Sequence, residues 1–214
     1  MVKTVSYTHT NSYETLNELT EKTENIWICF HGLGYLATYF KRYFEGLDPE
    51  KNYVIVPQAP SKFYIGKKFK HVGACWLTKV DTGREMQNNL QYIRSILDAE
   101  QITGDRRIVL FGYSQGVSIS TRFLKNYYVP IKAMILHSGS IPAELDHQDS
   151  KHFKIICNQF IHISGMRDEY ATPEREAEEM KKVKMLFGTE CEIHRPDIKH
   201  IVHVPLIEDI AKRL

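Results

Sequence analysis

The run Ile108-Val109-Leu110-Phe111-Gly112-Tyr113-Ser114-Gln115-Gly116 decides how this chain is to be read. Four apolar residues lead into a Gly-x-Ser-x-Gly. A helical pattern follows, with Val117, Leu124 and Tyr128 on one side and Ile119, Phe123 and Tyr127 on another. Together these read as a buried strand, a sharp turn and a helix. Glycines two positions either side of the serine remove Cβ atoms where the backbone segments of such a turn approach closely. The helix N-terminus behind Ser114 offers unpaired N–H groups and a positive dipole end to a developing negative charge.

The same strand–helix alternation extends in both directions. Apolar runs at 26–30, 53–56, 108–111, 133–136 and 160–163 read as strands buried on both faces, and 192–194 is a weaker sixth. Met86, Leu90, Ile93 and Leu97 form one helical stripe, and Met180, Val183 and Phe187 another. The second stripe carries its own punctuation: Thr172 as cap, Pro173 at the first helical position and Gly188 at the stop. A last helix is expected over 206–214, after Pro205. This order predicts an α/β fold with a mostly parallel, doubly wound sheet. The first 20 residues suggest an antiparallel edge hairpin turning near Asn11-Ser12. Two stretches, 58–81 and 142–158, read as long loops, of the kind that often carries function.

Composition narrows the function. The 214 residues, 43% hydrophobic and 25% charged, suit one globular domain spanning 1–214, with no repeat or linker. A balance of 28 Lys+Arg against 26 Asp+Glu makes no global field for nucleic acid or an anionic bilayer. No window is apolar enough for a membrane span, and the first residues lack the apolar core of a secretion signal. Cys29, Cys75, Cys157 and Cys191 are scattered without metal-ligand or disulfide spacing, so reduced thiols and a cytoplasmic location are expected.

A serine hydroxyl attacks only when a base takes its proton and a third group holds that base in one tautomer. On a fold of this kind the chain order is Ser, then Asp or Glu, then His. Asp168 follows the strand at 160–163 and precedes the capped helix, with Glu169 and Asp197 as alternates. Among the C-terminal histidines, His194 falls in a strand, whereas His200 and His203 lie in the loop before the last helix. His200 is preferred as base because it leaves a short connector to Pro205. The strand at 26–30 runs into His31-Gly32-Leu33-Gly34, a turn that would aim the Leu33 N–H, with that of Gln115, at an oxyanion. His31 is expected to brace this turn. Trp76, Phe63 and Tyr64 are candidates for a substrate wall, and Lys67, Lys68 and Lys70 beside them for contact with an anionic head group.

With these pieces in place the chain resembles the phospholipase/carboxylesterase family of α/β-hydrolases, which includes the acyl-protein thioesterases. The matching residues are His31-Gly32-Leu33-Gly34, Pro57-Gln58-Ala59-Pro60, Trp76, Gly112-Tyr113-Ser114-Gln115-Gly116, Gly165-Met166-Arg167-Asp168 and His200. The resemblance implies hydrolysis of carboxylic esters or thioesters through an acyl-enzyme, without metal or cofactor. It implies Ser114 as nucleophile, Asp168 as acid, His200 as base, and Leu33 and Gln115 as oxyanion donors. Three positions depart from the family pattern: Tyr35 stands where the thioesterases usually carry aspartate, Val117 where the turn usually has a second glycine, and Lys199 where a glycine usually precedes the histidine. These departures favour a plain carboxylesterase of small or medium acyl esters over a lysophospholipase or acyl-protein thioesterase. A non-catalytic binding protein on the same scaffold is the alternative of a different class. The expected partner is a small ester, and a homodimer is left open.

Overall fold

The computed structural model describes residues 1–214. Seven strands form one sheet in the order β1 (Tyr13–Leu16), β3 (Asn52–Pro57), β2 (Asn25–Phe30), β6 (Ile108–Tyr113), β7 (Ile131–His137), β8 (Cys157–Ile163) and β9 (Glu192–His194). All neighbouring pairs are parallel except β1 with β3. The antiparallel N-terminal edge is therefore made by β1 against β3. No strand precedes Tyr13, and Asn11 instead ties the incoming chain down by donating to the Gln58 carbonyl.

Alternate residues of the central strands sort onto two faces. Ile26, Ile28, Leu110 and Met134 join α2 (Thr82–Ala99), α3 (Gln115–Lys125), α4 (His147–Ile156) and α5 (Pro173–Phe187) in one core. Trp27, Cys29, Val109, Phe111 and Ile135 join α1 (Ala37–Phe40), the 3-10 turn Lys41–Phe44 and α6 (Val204–Arg213) in the other. A strand covered on both sides has no polar face, which is why these segments read as unbroken apolar runs. The Met86, Leu90, Ile93 and Leu97 stripe of α2 is buried. Thr172 caps α5 by accepting from the Arg175 N–H, and Gly188 ends it at φ 86°.

Four expectations need correction. The stretch 58–81 contains an antiparallel hairpin, β4 (Ser61–Ile65) with β5 (His71–Cys75), instead of a loop. The stretch 142–158 holds α4, started by a capping box between Asp146 and Asp149. The last helix begins at Val204, two residues early, because the His203 imidazole caps it by accepting from the Leu206 N–H. Tyr128 lies past the end of α3 and is exposed.

Chain order reverses about β2, which pairs with β3 on one side and with β6 on the other. The carboxyl ends of β2 and β6 thus lie side by side at the switch point, where open α/β sheets bind their ligands.

Candidate active site

Register does the first work. Phe30 of β2 lies opposite Gly112 of β6, so the His31-Gly32-Leu33-Gly34 turn and Ser114 emerge together. A Cβ built on Gly32 would sit 3.0 Å from the Ser114 Cβ. Ser114 occupies φ 53°, ψ −118°, a conformation that costs a non-glycine residue about 1–3 kcal/mol. Its surroundings hold it there. The Ser114 N–H donates to the His137 carbonyl at 2.9 Å, and α3 begins at the next residue. A Cβ at Gly116 would collide with the Phe30 carbonyl, and one at Gly112 would come within 2.7 Å of the Gly116 carbonyl. Both glycines are needed for close approach.

The acid and base arrive on two loops that bond to each other. Met166 and Arg167, just past β8, donate through their N–H groups to the carbonyls of Pro196 and Ile198, just past β9. Asp168 and His200 are thereby brought together. The His200 Nε2 lies 3.0 Å from Ser114 Oγ, and its Nδ1 lies 2.7 Å from Asp168 Oδ2. The second carboxylate oxygen of Asp168 accepts from the Tyr170 N–H at 2.9 Å. With Asp168 buried, the carboxylate is held on both oxygens. A carboxylate accepting from Nδ1–H leaves Nε2 free to take the serine proton.

The alternates have other places. Asp197 pairs with Arg167. Glu169 reaches only the His200 N–H, at 3.4 Å. His203 caps α6, and His194 binds Glu192. No three His, Cys, Asp or Glu side chains are grouped to hold a metal ion.

Leu33 and Gln115 flank this chain of hydrogen bonds. The Leu33 N–H donates to no group of the protein. Gln115 is the first residue of α3, where an N–H has no intrahelical acceptor. The Gln115 side chain is fully engaged: Oε1 accepts from the Trp76 N–H at 2.9 Å, and Nε2 donates to the Leu77 carbonyl at 2.8 Å. His31 braces the turn as expected. Its Nε2 accepts from the Ala59 N–H, so its Nδ1–H donates to the Gly32 carbonyl at 2.8 Å. Burial lowers the pKa of His31 to about 4, which keeps the ring neutral.

Trp76 does not line the cleft. It has no exposed surface; its Nε1–H donates to the His31 carbonyl, and its ring packs on Phe30 and His31. Phe63, Tyr64 and Ile65 are exposed on β4, and Phe69 is exposed in the turn that leads to β5. The hairpin that bears them is joined to the Leu33 turn, since the Gly34 N–H donates to the Ala74 carbonyl and the Ala74 N–H to that of Tyr35.

Two further residues shape the site without any motif to announce them. His137, at the end of β7, is fully buried, and burial lowers its pKa to about 3. Its Nε2 accepts from the His203 N–H, so Nδ1–H donates to Ser138 Oγ. Tyr113 donates its hydroxyl to the His200 carbonyl at 2.9 Å.

The phospholipase/carboxylesterase family profile matches residues 11–214. The chain belongs to that family. It is accordingly a hydrolase of the carboxylesterase kind. Among solved structures, acyl-protein thioesterase 2 of Zea mays superposes with a TM-score of 0.71 at 15% identity, covering 95% of this chain and 97% of its own. The Bacillus cereus carboxylesterase gives 0.66 at 12% identity, covering 95% and 92%. The phospholipase/carboxylesterase of Dyadobacter fermentans gives 0.62 at 16%, covering 97% and 99%. At these identities the likeness speaks for the α/β-hydrolase fold. No curated protein sequence matches this chain.

Proposed function

We propose that the chain is a single-domain serine hydrolase that cleaves carboxylic esters, and thioesters, of small or medium acyl groups through an acyl-enzyme. The observation that carries this reading is the continuous path Ser114 Oγ to His200 Nε2, 3.0 Å, and His200 Nδ1 to Asp168 Oδ2, 2.7 Å, beside two unengaged amides. Ser114 Oγ attacks the acyl carbonyl while His200 takes its proton. The carbonyl oxygen becomes an oxyanion that accepts from the Leu33 and Gln115 N–H groups. The imidazolium, held by Asp168, then protonates the departing alkoxide or thiolate. Water repeats the sequence on the acyl-enzyme, with His200 again as base. Each backbone donor of this kind is typically worth about 10²–10³ in kcat.

Fluorophosphonate labelling, followed by mapping of the modified residue, tests the assignment. We expect label on Ser114 alone, and a folded Ser114→Ala variant with p-nitrophenyl acetate turnover at background. Label elsewhere, or turnover retained by Ser114→Ala, removes the nucleophile. A non-catalytic binding protein would take no label at all.

A second substrate reading is favoured by the β4–β5 hairpin. Residues 52–80 hold five lysines and no acidic residue, and Phe63, Tyr64 and Phe69 stand exposed among them. An acyl ester with an anionic head group, as in a lysophospholipid, suits such a surface. The four cysteines are unpaired and buried, which supports a reducing, cytoplasmic setting.

A further inference from the structure

The His200 imidazole is bonded to Asp168 at Nδ1 and to Ser114 at Nε2, with the Tyr170 ring edge-on to it at 4.8 Å, but the segment that carries it, 195–203, has no regular structure. The Ser114 bond is given up during turnover, and a shift of the backbone at 200 would then carry Nε2 away from Ser114. The backbone of the segment must therefore be held, and as far as Ile198 it is held by the Met166 and Arg167 N–H groups. Lys199 precedes His200 and forms only an i+2 contact, its carbonyl accepting from the Ile201 N–H. On the C-terminal side the His203 N–H is held by His137 Nε2. At His200 itself the N–H has only the 3.4 Å contact to Glu169, and the carbonyl has Tyr113 Oη at 2.9 Å.

Tyr113 is covalently joined to Ser114 and is itself tightly packed. It is buried, with its ring stacked on Phe40 at 6.0 Å and edge-on to His137 at 5.4 Å. Its ring also lies tilted against the His200 imidazole, with centroids 5.3 Å apart. One side chain thus fixes the peptide of the histidine relative to the strand that ends in the serine. We infer that Tyr113 is a positioning residue of the hydrolytic site: its hydroxyl, by holding the His200 carbonyl, keeps Nε2 within reach of Ser114 Oγ. Burial, with Tyr35 and Tyr43 nearby, raises its pKa well above the ordinary tyrosine value, so the donor proton is retained across the working pH range.

The inference rests on His200 being the base, and the test separates the two. Tyr113→Phe removes one oxygen and keeps the ring. We expect kcat for p-nitrophenyl acetate to fall about tenfold, the usual weight of one neutral hydrogen bond. KM should stay within about twofold, and end-point fluorophosphonate stoichiometry should stay at one per chain, with slower labelling. In a His200→Ala background the same substitution should cost nothing, because no imidazole remains to be placed. A merely structural role would cost the same in both backgrounds. If His200→Ala is itself fully active, the reading of the base falls. If His200→Ala is inactive and Tyr113→Phe turns over at the wild-type rate, only the inference about Tyr113 falls. Should Tyr113→Phe not fold, 4-aminophenylalanine and 4-fluorophenylalanine at position 113 make the same comparison. The donor-bearing ring should then turn over about tenfold faster, and equal rates would overturn the inference.

Discussion

Asp168 holds the proton of His200 Nδ1 with one oxygen and takes the Tyr170 N–H with the other, so an amide in its place is tested from two directions at once. In Asp168→Asn one terminal atom can still accept, but only by giving up either Tyr170 or His200. An NH2 turned toward Nδ1 selects the tautomer with its proton on Nε2, which cannot act as base toward Ser114. We expect kcat to fall about 10⁴-fold with KM little changed and the melting temperature nearly unaltered. A loss of less than about tenfold would remove Asp168 from the proton path and return attention to Glu169. At this scale the sequence pointed to Ser114 at a strand end ahead of a helix, preferred Asp168 to Glu169 and Asp197, and preferred His200 to His203 for its connector to Pro205. It was silent on Tyr113 and His137. Their contacts, Tyr113 to the His200 carbonyl and His137 to the His203 N–H, depend on which strands are neighbours, and no local pattern records that.

The elements that were legible are those with a buried face. β2, β3, β6, β7 and β8 are apolar because helices cover both sides of the sheet, and α2 and α5 carry stripes because they do the covering. The hairpin β4–β5 escaped for the opposite reason. Every residue of β4 is exposed, so no period of two could appear, and the hairpin is held to Gly34 and Tyr35 through backbone groups. α4 is polar at its start, and its readable signal was the acidic pair Asp146 and Asp149 at capping-box spacing. The hairpin is bonded to the Leu33 turn through Ala74 and carries Lys67, Lys68 and Lys70 in the turn at its other end. If they meet a substrate anion, replacing all three with glutamine should raise KM about fivefold for an anionic ester at low salt, and leave a neutral ester unaffected. Rising ionic strength should raise the wild-type KM for the anionic ester alone. Identical salt profiles for the two esters would end the head-group reading.

Across the whole molecule, the three histidines and one glutamate whose pKa values burial shifts set a direction for stability against pH between 4 and 7. Burial lowers the pKa values of His31 and His162 to about 4 and that of His137 to about 3. An unfolded histidine takes up its proton near 6.5. Between that value and about 4 the unfolded chain therefore binds more protons at these three positions, and stability falls as pH falls. Glu179 works the other way: burial raises its pKa to about 7, so its contribution is present at low pH and is lost as pH rises from about 4.5 through 7. Three groups oppose one. At about 2 kcal/mol each, the net loss from pH 6.5 to 4.5 is on the order of 4 kcal/mol, about 8–16 °C in melting temperature for a chain of this size. Scanning calorimetry at pH 6.5, 5.5 and 4.5 measures this directly, and a flat or rising melting temperature would contradict it. His162 offers the cleanest control: its Nδ1 is buried without a partner, so His162→Gln removes a titrating group without breaking a bond. That variant should lose about half of the net acid sensitivity and keep its activity. His137 lies at the other extreme, because a proton on its Nε2 displaces the His203 N–H three residues from His200. Because its pKa is the lowest of the three, that proton arrives after those of His31 and His162 as pH falls, and acid reaches the loop of the base last.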